Sequence, residues 1–393
     1  TMKKQLPSLM TMLSEIIAPP SISSTSDVYD TSNQAVIEKL HSWLSDLGFQ
    51  CEAIPVPDSN GSQSKNKFNL IATLGSGDGG LVLAGHTDTV PCNENLWNSD
   101  PFTLTEVDNK LYGLGTTDMK SFFPIVIEAI KLCLQQGLDK NTNLKQPIII
   151  LATADEETTM AGARSLVTQG RPKARHAIIG EPTNLTPAIA HKGMMMESIR
   201  IEGHSGHSSD PSLGVNAMEA MHSAMTSLLA WRDHLQVKHQ NPLFSIPVPT
   251  LNLGCIHGGD NPNRICGVCE LQFDIRPLPG MSIEELRNEI TQWLKPIEQQ
   301  YPGISLNVNP GLPPFSGDEN CEIVNIVETL TGQKAMSVAF GTEAPYYQQL
   351  GIQPVILGPG GIAQAHQPNE FLELNTLQPM IEIVKGAITQ LCL

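Results

Sequence analysis

The sequence predicts an α/β protein, a mixed sheet flanked by helices, with a smaller α+β sandwich inserted into it. Two observations predict this. Short unbroken apolar runs alternate with helical stretches in both the first half and the last part of the chain, the pattern of strands buried on both faces. Between them, from about Lys192, the strands alternate apolar and polar residues, the pattern of a sheet with one wet face.

In chain order, Val36, Leu40, Trp43, Leu44 and Leu47 recur at helical spacing, and Gly48 stands where a helix would stop. The Ser/Asn/Lys-rich stretch 58–67 reads as a solvated loop. Leu81-Val82-Leu83-Ala84, Ile148-Ile149-Ile150-Leu151, Ala177-Ile178-Ile179 and Val355-Ile356-Leu357 are the buried strands. In the middle segment, Ile199 and Ile201 alternate with Ser198, Arg200 and Glu202. Val215, Met218, Met221, Met225 and Leu228 are expected to line one helix face. Cys269, Leu271, Phe273 and Ile275 point one way from a strand, and Glu270, Gln272 and Asp274 the other. Ser282 and Glu285 form a capping box ahead of a helix with Ile283, Leu286, Ile290 and Trp293 on its apolar side. The expected domains are 1–191 with 309–393, and 192–308. No internal repeat is present.

Composition narrows the class. A chain of 393 residues is long for one core, and length alone suggests about two domains. With 40% apolar and 16% charged residues it suits a globular protein rather than a disordered one. A formal charge of −16 argues against nucleic acid, because nothing would neutralise phosphates. The longest apolar runs, such as Pro147 to Ala152, are far too short to span a bilayer, so no membrane partner is expected. Lys3 and Lys4 are followed by no long apolar stretch, and no signal peptide is expected. Eight cysteines in a chain of this length point to reduced thiols in the cytoplasm rather than to a disulfide framework.

Each buried strand runs into residues of a metal-binding type. The first leads to His86-Thr87-Asp88, the second to Asp155-Glu156-Glu157, the third to Glu181, and the last, a few residues on, to His366. Asp118 lies in the glycine-rich loop Gly113–Lys120. Ligands of open α/β sheets bind beyond the carboxyl ends of the strands, where these groups would converge. Two histidines with three or four carboxylates form an N/O set suited to Zn²⁺, Co²⁺ or Mn²⁺. Carboxylates can also bridge paired ions. The plainer readings are a surface His-x-Asp pair, a solvated Glu-Glu face and a loop histidine; the order and strand-end placement of the set weigh against them. Cys266 and Cys269 look like half a zinc knuckle, but no second pair lies nearby, and core packing is expected.

Together these residues resemble the M20 family of metallopeptidases and amino-acid deacylases. The matching stretches include Leu83–Pro91, Leu111–Lys120, Ala154–Glu157, Gly180–Thr183, Gly203–Ser209, Asn263-Arg264, Asp274–Pro277, Gly341–Pro345 and Ala365–Pro368, in the family's order along nearly the whole chain. Ser121 departs from the glycine usual there, which bears on backbone packing rather than on ligands.

The resemblance implies a zinc-peptidase-like catalytic domain and an inserted lid and dimerisation domain. It implies two divalent ions, Zn²⁺ or Co²⁺, one held by His86, Asp118 and Glu181 and the other by Asp118, Glu157 and His366. Asp88 would orient His86, Glu156 would be the general base, and His207 would donate to the oxyanion, often from the partner of a homodimer. Arg276 and Asn263, with Arg264 or Lys192, would bind a substrate carboxylate, although Arg276 would equally pair with Asp274. Thr342 and Glu343 would line the pocket, Glu343 facing a cationic tail or standing as a solvated loop acid. The implied reaction is hydrolysis of a small N-acyl amino acid, foremost N2-acetyl-L-ornithine. Succinyl-diaminopimelate, other N-acyl amino acids and peptides follow, and a non-catalytic metal-binding scaffold is the reading from another class.

Overall fold

The sequence Phe68–Leu74, Ile148–Thr153, Leu81–His86, His176–Ile179, Gln353–Ile356 gives the spatial order of the strands at the heart of the structure, a computed structural model that describes residues 6–57, 66–135 and 144–393. The last four of these are mutually parallel neighbours. They are the four apolar runs of the sequence, and Leu81–His86, Ile148–Thr153 and His176–Ile179 are buried at every residue. Antiparallel strands complete one edge, where Phe68–Leu74 pairs with Ile148–Thr153 and with Gln50–Pro55. Parallel strands must be reached by crossovers, and helices Phe122–Gln135, Ala161–Gln169 and Leu377–Cys392 lie between or after them. The apolar sides of Phe122–Gln135 and Leu377–Cys392 form one core with the sheet, which includes Leu83, Phe122, Phe123, Ile150 and Ile381.

The chain forms two compact units. The first comprises residues 1–189, 317–336 and 342–393; the second comprises 190–316 and 337–341. Residues 309–316 sit with the second unit, because Leu312 exchanges backbone hydrogen bonds with Met194 and Phe315 pairs with His191.

In the second unit, a four-stranded antiparallel sheet runs Thr250–Gly258, Val268–Arg276, Met195–Glu202, Ile304–Val308. Helices Ala217–Lys238 and Ile283–Gln300 share a core with it. Val268–Arg276 buries Cys269, Leu271, Phe273 and Ile275, as its alternation requires. Cys266 and Cys269 are buried and free. Ser282 caps its helix by accepting from the Glu285 N–H.

Two readings of the sequence need correction. Helix Ala217–Lys238 buries Ala217, Ala220, Met221, Ala224, Leu228, Trp231 and Leu235, whereas Val215 and Met218 are exposed. Small alanines at the contact let the helix approach the sheet closely, so the methionine stripe is only partly the buried face. In the expected loop 58–67, positions 58–65 lie outside the described residues, but Lys67 is not solvated. It is 9% exposed and pairs with Asp30 and Asp155 at 3.0 and 2.9 Å.

Candidate metal centre

Four parallel neighbours bring their carboxyl ends to one edge of the sheet, and the candidate ligands leave from there. His86 ends its strand. Glu156 and Glu157 follow Thr153 by a turn in which Asp155 adopts a left-handed φ of 58°. Glu181 lies two residues beyond Ile179. His366, itself at φ 59°, follows the turn after Ile356. Left-handed backbone is costly for residues other than glycine, and such positions persist only where surrounding contacts hold them. For Asp155 those contacts are Lys67 and the Ser23 hydroxyl, which donates to its carboxylate at 3.0 Å.

The side chains meet. His86 Nε2 lies 3.0 Å from Asp118 Oδ1, 3.4 Å from Glu181 Oε1 and 3.8 Å from Glu156 Oε2. His366 Nε2 lies 3.0 Å from Glu157 Oε1 and 3.3 Å from Asp118 Oδ2. Asp118 therefore turns one carboxylate oxygen to each histidine. His86 Nδ1 is 2.9 Å from the Asp88 carbonyl oxygen, an acceptor only, so Nδ1 carries the proton and donates. A neutral His86 then faces Asp118 with an acceptor against an acceptor, which only a positive particle between or on them can stabilise.

The electrostatics make the same point. Burial opposes protonation of His86, yet Glu156 and Glu181 more than offset it and hold the imidazole well above its ordinary range. Burial also acts on Asp118, but hydrogen bonds with His366 and His86 hold its carboxyl well below the usual value. Burial pushes Glu156 well up, Glu157 up to about 8 with the charge of Asp118 adding to it, and Glu181 up to about 7. Hydrogen bonds with Asp118 and Glu157 raise His366 to about 10. Four carboxylates crowd two imidazoles here, and divalent cations would relieve that repulsion. The groupings His86–Glu156–Glu181 and His86–Asp118–Glu157 are each close enough to hold an ion. The observed separations of 3.0–3.4 Å also suit tetrahedral zinc, whose ligands at about 2.0–2.1 Å stand about 3.3 Å apart. The residues present fit a pair of divalent ions.

A profile of Peptidase family M20/M25/M40 matches residues 82–390, which include every one of these side chains. The chain belongs to that family. An acetylornithine deacetylase from Pectobacterium carotovorum subsp. carotovorum (strain PC1) is 50% identical over 396 residues, covering all of both chains. Among solved structures, the M20 metallo-carboxypeptidase Sso-CP2 from Sulfolobus solfataricus has a TM-score of 0.76 at 17% identity, covering 98% of this chain and 99% of that one. The YXEP protein of Bacillus subtilis, described as a dinuclear metal-binding peptidase of the M20 family, has a TM-score of 0.66 at 18% identity, covering 98% and 97%. Sso-CP2 and YXEP share the fold.

Of the groups around the M20 centre, the sequence pointed to Asp88, Thr342 and Glu343 but not to Glu370, nor to the backbone bonds these side chains make. The Asp88 carboxylate accepts from the Glu156 and Glu157 N–H groups at 3.2 and 3.0 Å, so one residue orients His86 and both glutamates. Glu343 is not a solvated loop acid; it is 1% exposed, and Tyr347 donates its hydroxyl to it at 2.9 Å. Burial pushes Glu343 up to about 7. Thr342 is buried, and its hydroxyl oxygen accepts from the Ala344 N–H. Ser121 is also buried, with no hydrogen-bond partner for its hydroxyl among the described residues. Glu370, four residues past His366, is buried as well; an acid just ahead of apolar Phe371-Leu372 was the available signal.

The remaining candidate positions lie in the second unit, where His207, Arg264 and Arg276 pair within their own segments. Exposed His207 accepts at Nδ1 from the Ser209 hydroxyl at 2.7 Å. Arg264 pairs with Asp260 at 3.1 Å, and Arg276 donates to Asp274 at 2.9 Å. Asn263 is exposed. Lys192 is the buried one, donating to the Val248 carbonyl at 2.6 Å.

Proposed function

We propose that this chain is a two-metal amidohydrolase that converts N2-acetyl-L-ornithine and water to L-ornithine and acetate, a step of arginine synthesis. The observation that carries the chemistry is the convergence of His86, Asp118, Glu156, Glu157, Glu181 and His366 from four strand ends and one loop. End-to-end likeness at 50% identity to a relative named for that reaction supports the substrate.

In this reading His86, Asp118 and Glu181 hold one ion, and Asp118, Glu157 and His366 the other, with Asp118 between them. Zn²⁺ suits the donors best, and Co²⁺ is a working substitute. The ions, when bound, polarise the amide carbonyl and acidify water. Glu156 lies within ligand distance of His86 and Glu181 as well, but is assigned as the base, Asp118 taking the ligand place. It takes a proton from the attacking water, whose oxygen bonds to the carbonyl carbon, and returns it to nitrogen as the C–N bond breaks. Its burial suits this role, because desolvation raises the carboxyl's affinity for a proton.

The substrate α-carboxylate is assigned to Arg276 and Asn263, with Arg264 or Lys192 assisting, since a guanidinium offers a two-pronged grip. Thr342 and Glu343 are assigned to the pocket wall near His86. His207 is assigned as oxyanion donor across a homodimer, and residues 192–308 as the lid and dimerisation domain. The cytoplasm is the assigned compartment, which eight free cysteines support.

A substrate panel tests the reading. Purified protein with added Zn²⁺ or Co²⁺ is assayed on acetylornithine, succinyl-diaminopimelate and acetylmethionine, and acetylornithine should give the highest kcat/KM. Much faster turnover of succinyl-diaminopimelate would overturn the substrate; no turnover of any would favour a scaffold.

A further inference from the structure

Glu370 stands at a junction. Lys110–Tyr112 and Phe371–Glu373 pair as antiparallel strands, Tyr112 opposite Phe371, so the next residues out, Gly113 and Glu370, also face each other. The Gly113 N–H donates to the Glu370 carbonyl at 3.1 Å. From this point the chain 113–118 turns through Gly115, at φ +87°, into Asp118. The turn directs the N–H groups of Gly115, Thr117 and Asp118 inward, while that of Thr116 closes back on the Gly113 carbonyl, and such a concavity binds anions. The anion is supplied from within the chain. Glu370 Oε2 accepts from the Gly115 N–H at 2.9 Å, and Oε1 accepts from the Thr117 and Asp118 N–H groups, each at 2.9 Å. Thr117 adds a hydroxyl bond to the Phe371 carbonyl.

A carboxylate that is 2% exposed would be expensive to bury without such donors. The three bonds have a further consequence. The segment that carries Glu370 also carries His366, and the loop it grips ends at Asp118. One side chain thereby ties together two residues 248 positions apart (366 − 118) whose side chains lie 3.3 Å from each other.

We infer that Glu370 is a positioning residue for metal binding: it holds the backbone of Gly115–Asp118 against the His366 segment and so sets the spacing of Asp118 and His366 before any ion arrives. This rests on the proposed metal roles of those two residues. It goes beyond them in assigning function to a side chain whose two oxygens are taken up by backbone N–H groups. Preorganisation of this kind raises affinity because the ligands need not be gathered at the moment of binding.

The test compares wild type, Glu370→Gln and Glu370→Asp, each stripped of metal and titrated with Co²⁺ against a competing chelator. Visible absorption of the bound Co²⁺ and melting of the metal-free proteins are followed in parallel. Glutamine places an NH₂ donor where an acceptor is needed, and Co²⁺ affinity should fall about 10–100-fold with an altered spectrum. The metal-free melting temperature should move by only a few degrees. Aspartate keeps the charge and should recover part of the loss. If the glutamine variant does not fold, an aspartate variant with wild-type affinity and spectrum overturns the inference. Unchanged affinity and spectrum in the glutamine variant also overturn it, as would a loss of affinity fully explained by unfolding of the metal-free protein. Wild type that takes up no Co²⁺ would instead sink the metal reading itself, and this inference with it.

Discussion

In the first unit His86, Asp118, Glu156 and Glu181 are all at most 8% exposed and press against one another. In the second, Arg264 and Arg276 have side chains 55% and 37% exposed and each pairs with an aspartate of its own segment. The two sets therefore differ in what holds them. The first is fixed by strand ends and by buried carboxylates, Asp88 and Glu370, that grip the backbone of the presenting loops. The second hangs on a half-wet sheet face and on loops; Arg264 can leave exposed Asp260 at little cost, since exposed pairs are worth about 0–1 kcal/mol, whereas Asp274 is only partly exposed. On the proposed roles, the contrast makes sense: metal binding needs donors already in place, and substrate capture needs groups free to change partner.

Substitutions can break that contrast. The largest effect is expected for Asp118→Ala, which removes the group facing both histidines. Metal per chain, measured by elemental analysis, should fall to near zero and turnover to background; two ions retained would refute its place between the sites. Glu156→Ala should lower kcat by about 10²–10⁴ with metal content unchanged. An active variant would remove it from the role of base. In the second unit, His207→Ala should cost about 10²–10³ in kcat and leave the metals in place. Mixing it with Glu156→Ala protein should restore activity if the histidine works across subunits; no rescue despite proven exchange would count against that. Arg276→Ala should raise KM about 10–100-fold with kcat less affected, as loss of a hydrogen bond to a charged group worth about 1.5–3 kcal/mol requires. Loss of metal from either second-unit variant would mean the units are not divided in this way.

The smallest effect concerns thiols. Burial pushes Cys392 from 9.0 up to about 12, whereas Cys255 of the second unit is half-exposed. Alkylation at pH 8 followed by mass spectrometry should mark Cys255 and spare Cys392 until the chain unfolds. Because the folded value is the higher one, the protonated thiol supports the fold below about pH 9. That support is lost as pH rises from about 9 to about 12. Early labelling of Cys392 would show that the first core is not dry.

Local pattern carried far in this chain. The four parallel strands were visible because residues buried on both faces are apolar without interruption, and Val36, Leu40 and Leu44 marked a helix by their spacing. Contacts made by single side chains across long separations had no such signature. Lys67 sat in a polar stretch and turned out to pair beneath the surface with Asp155, 88 positions away (155 − 67). Met218 satisfied the helical period, but the packing favoured the alanine side.

By itself, the sequence determined which segments become strands and helices, and that acids and histidines stand at the strand ends, because periodicity and residue type are local properties. Only the tertiary structure decided that Ile148–Thr153, Leu81–His86, His176–Ile179 and Gln353–Ile356 lie side by side in that order. It alone brought Asp118 between two histidines and gave Glu370 its three backbone donors. Strand order and hydrogen bonds between distant loops are settled by the packing of the whole chain, where burying a carboxylate is tolerable only if donors from elsewhere arrive to meet it.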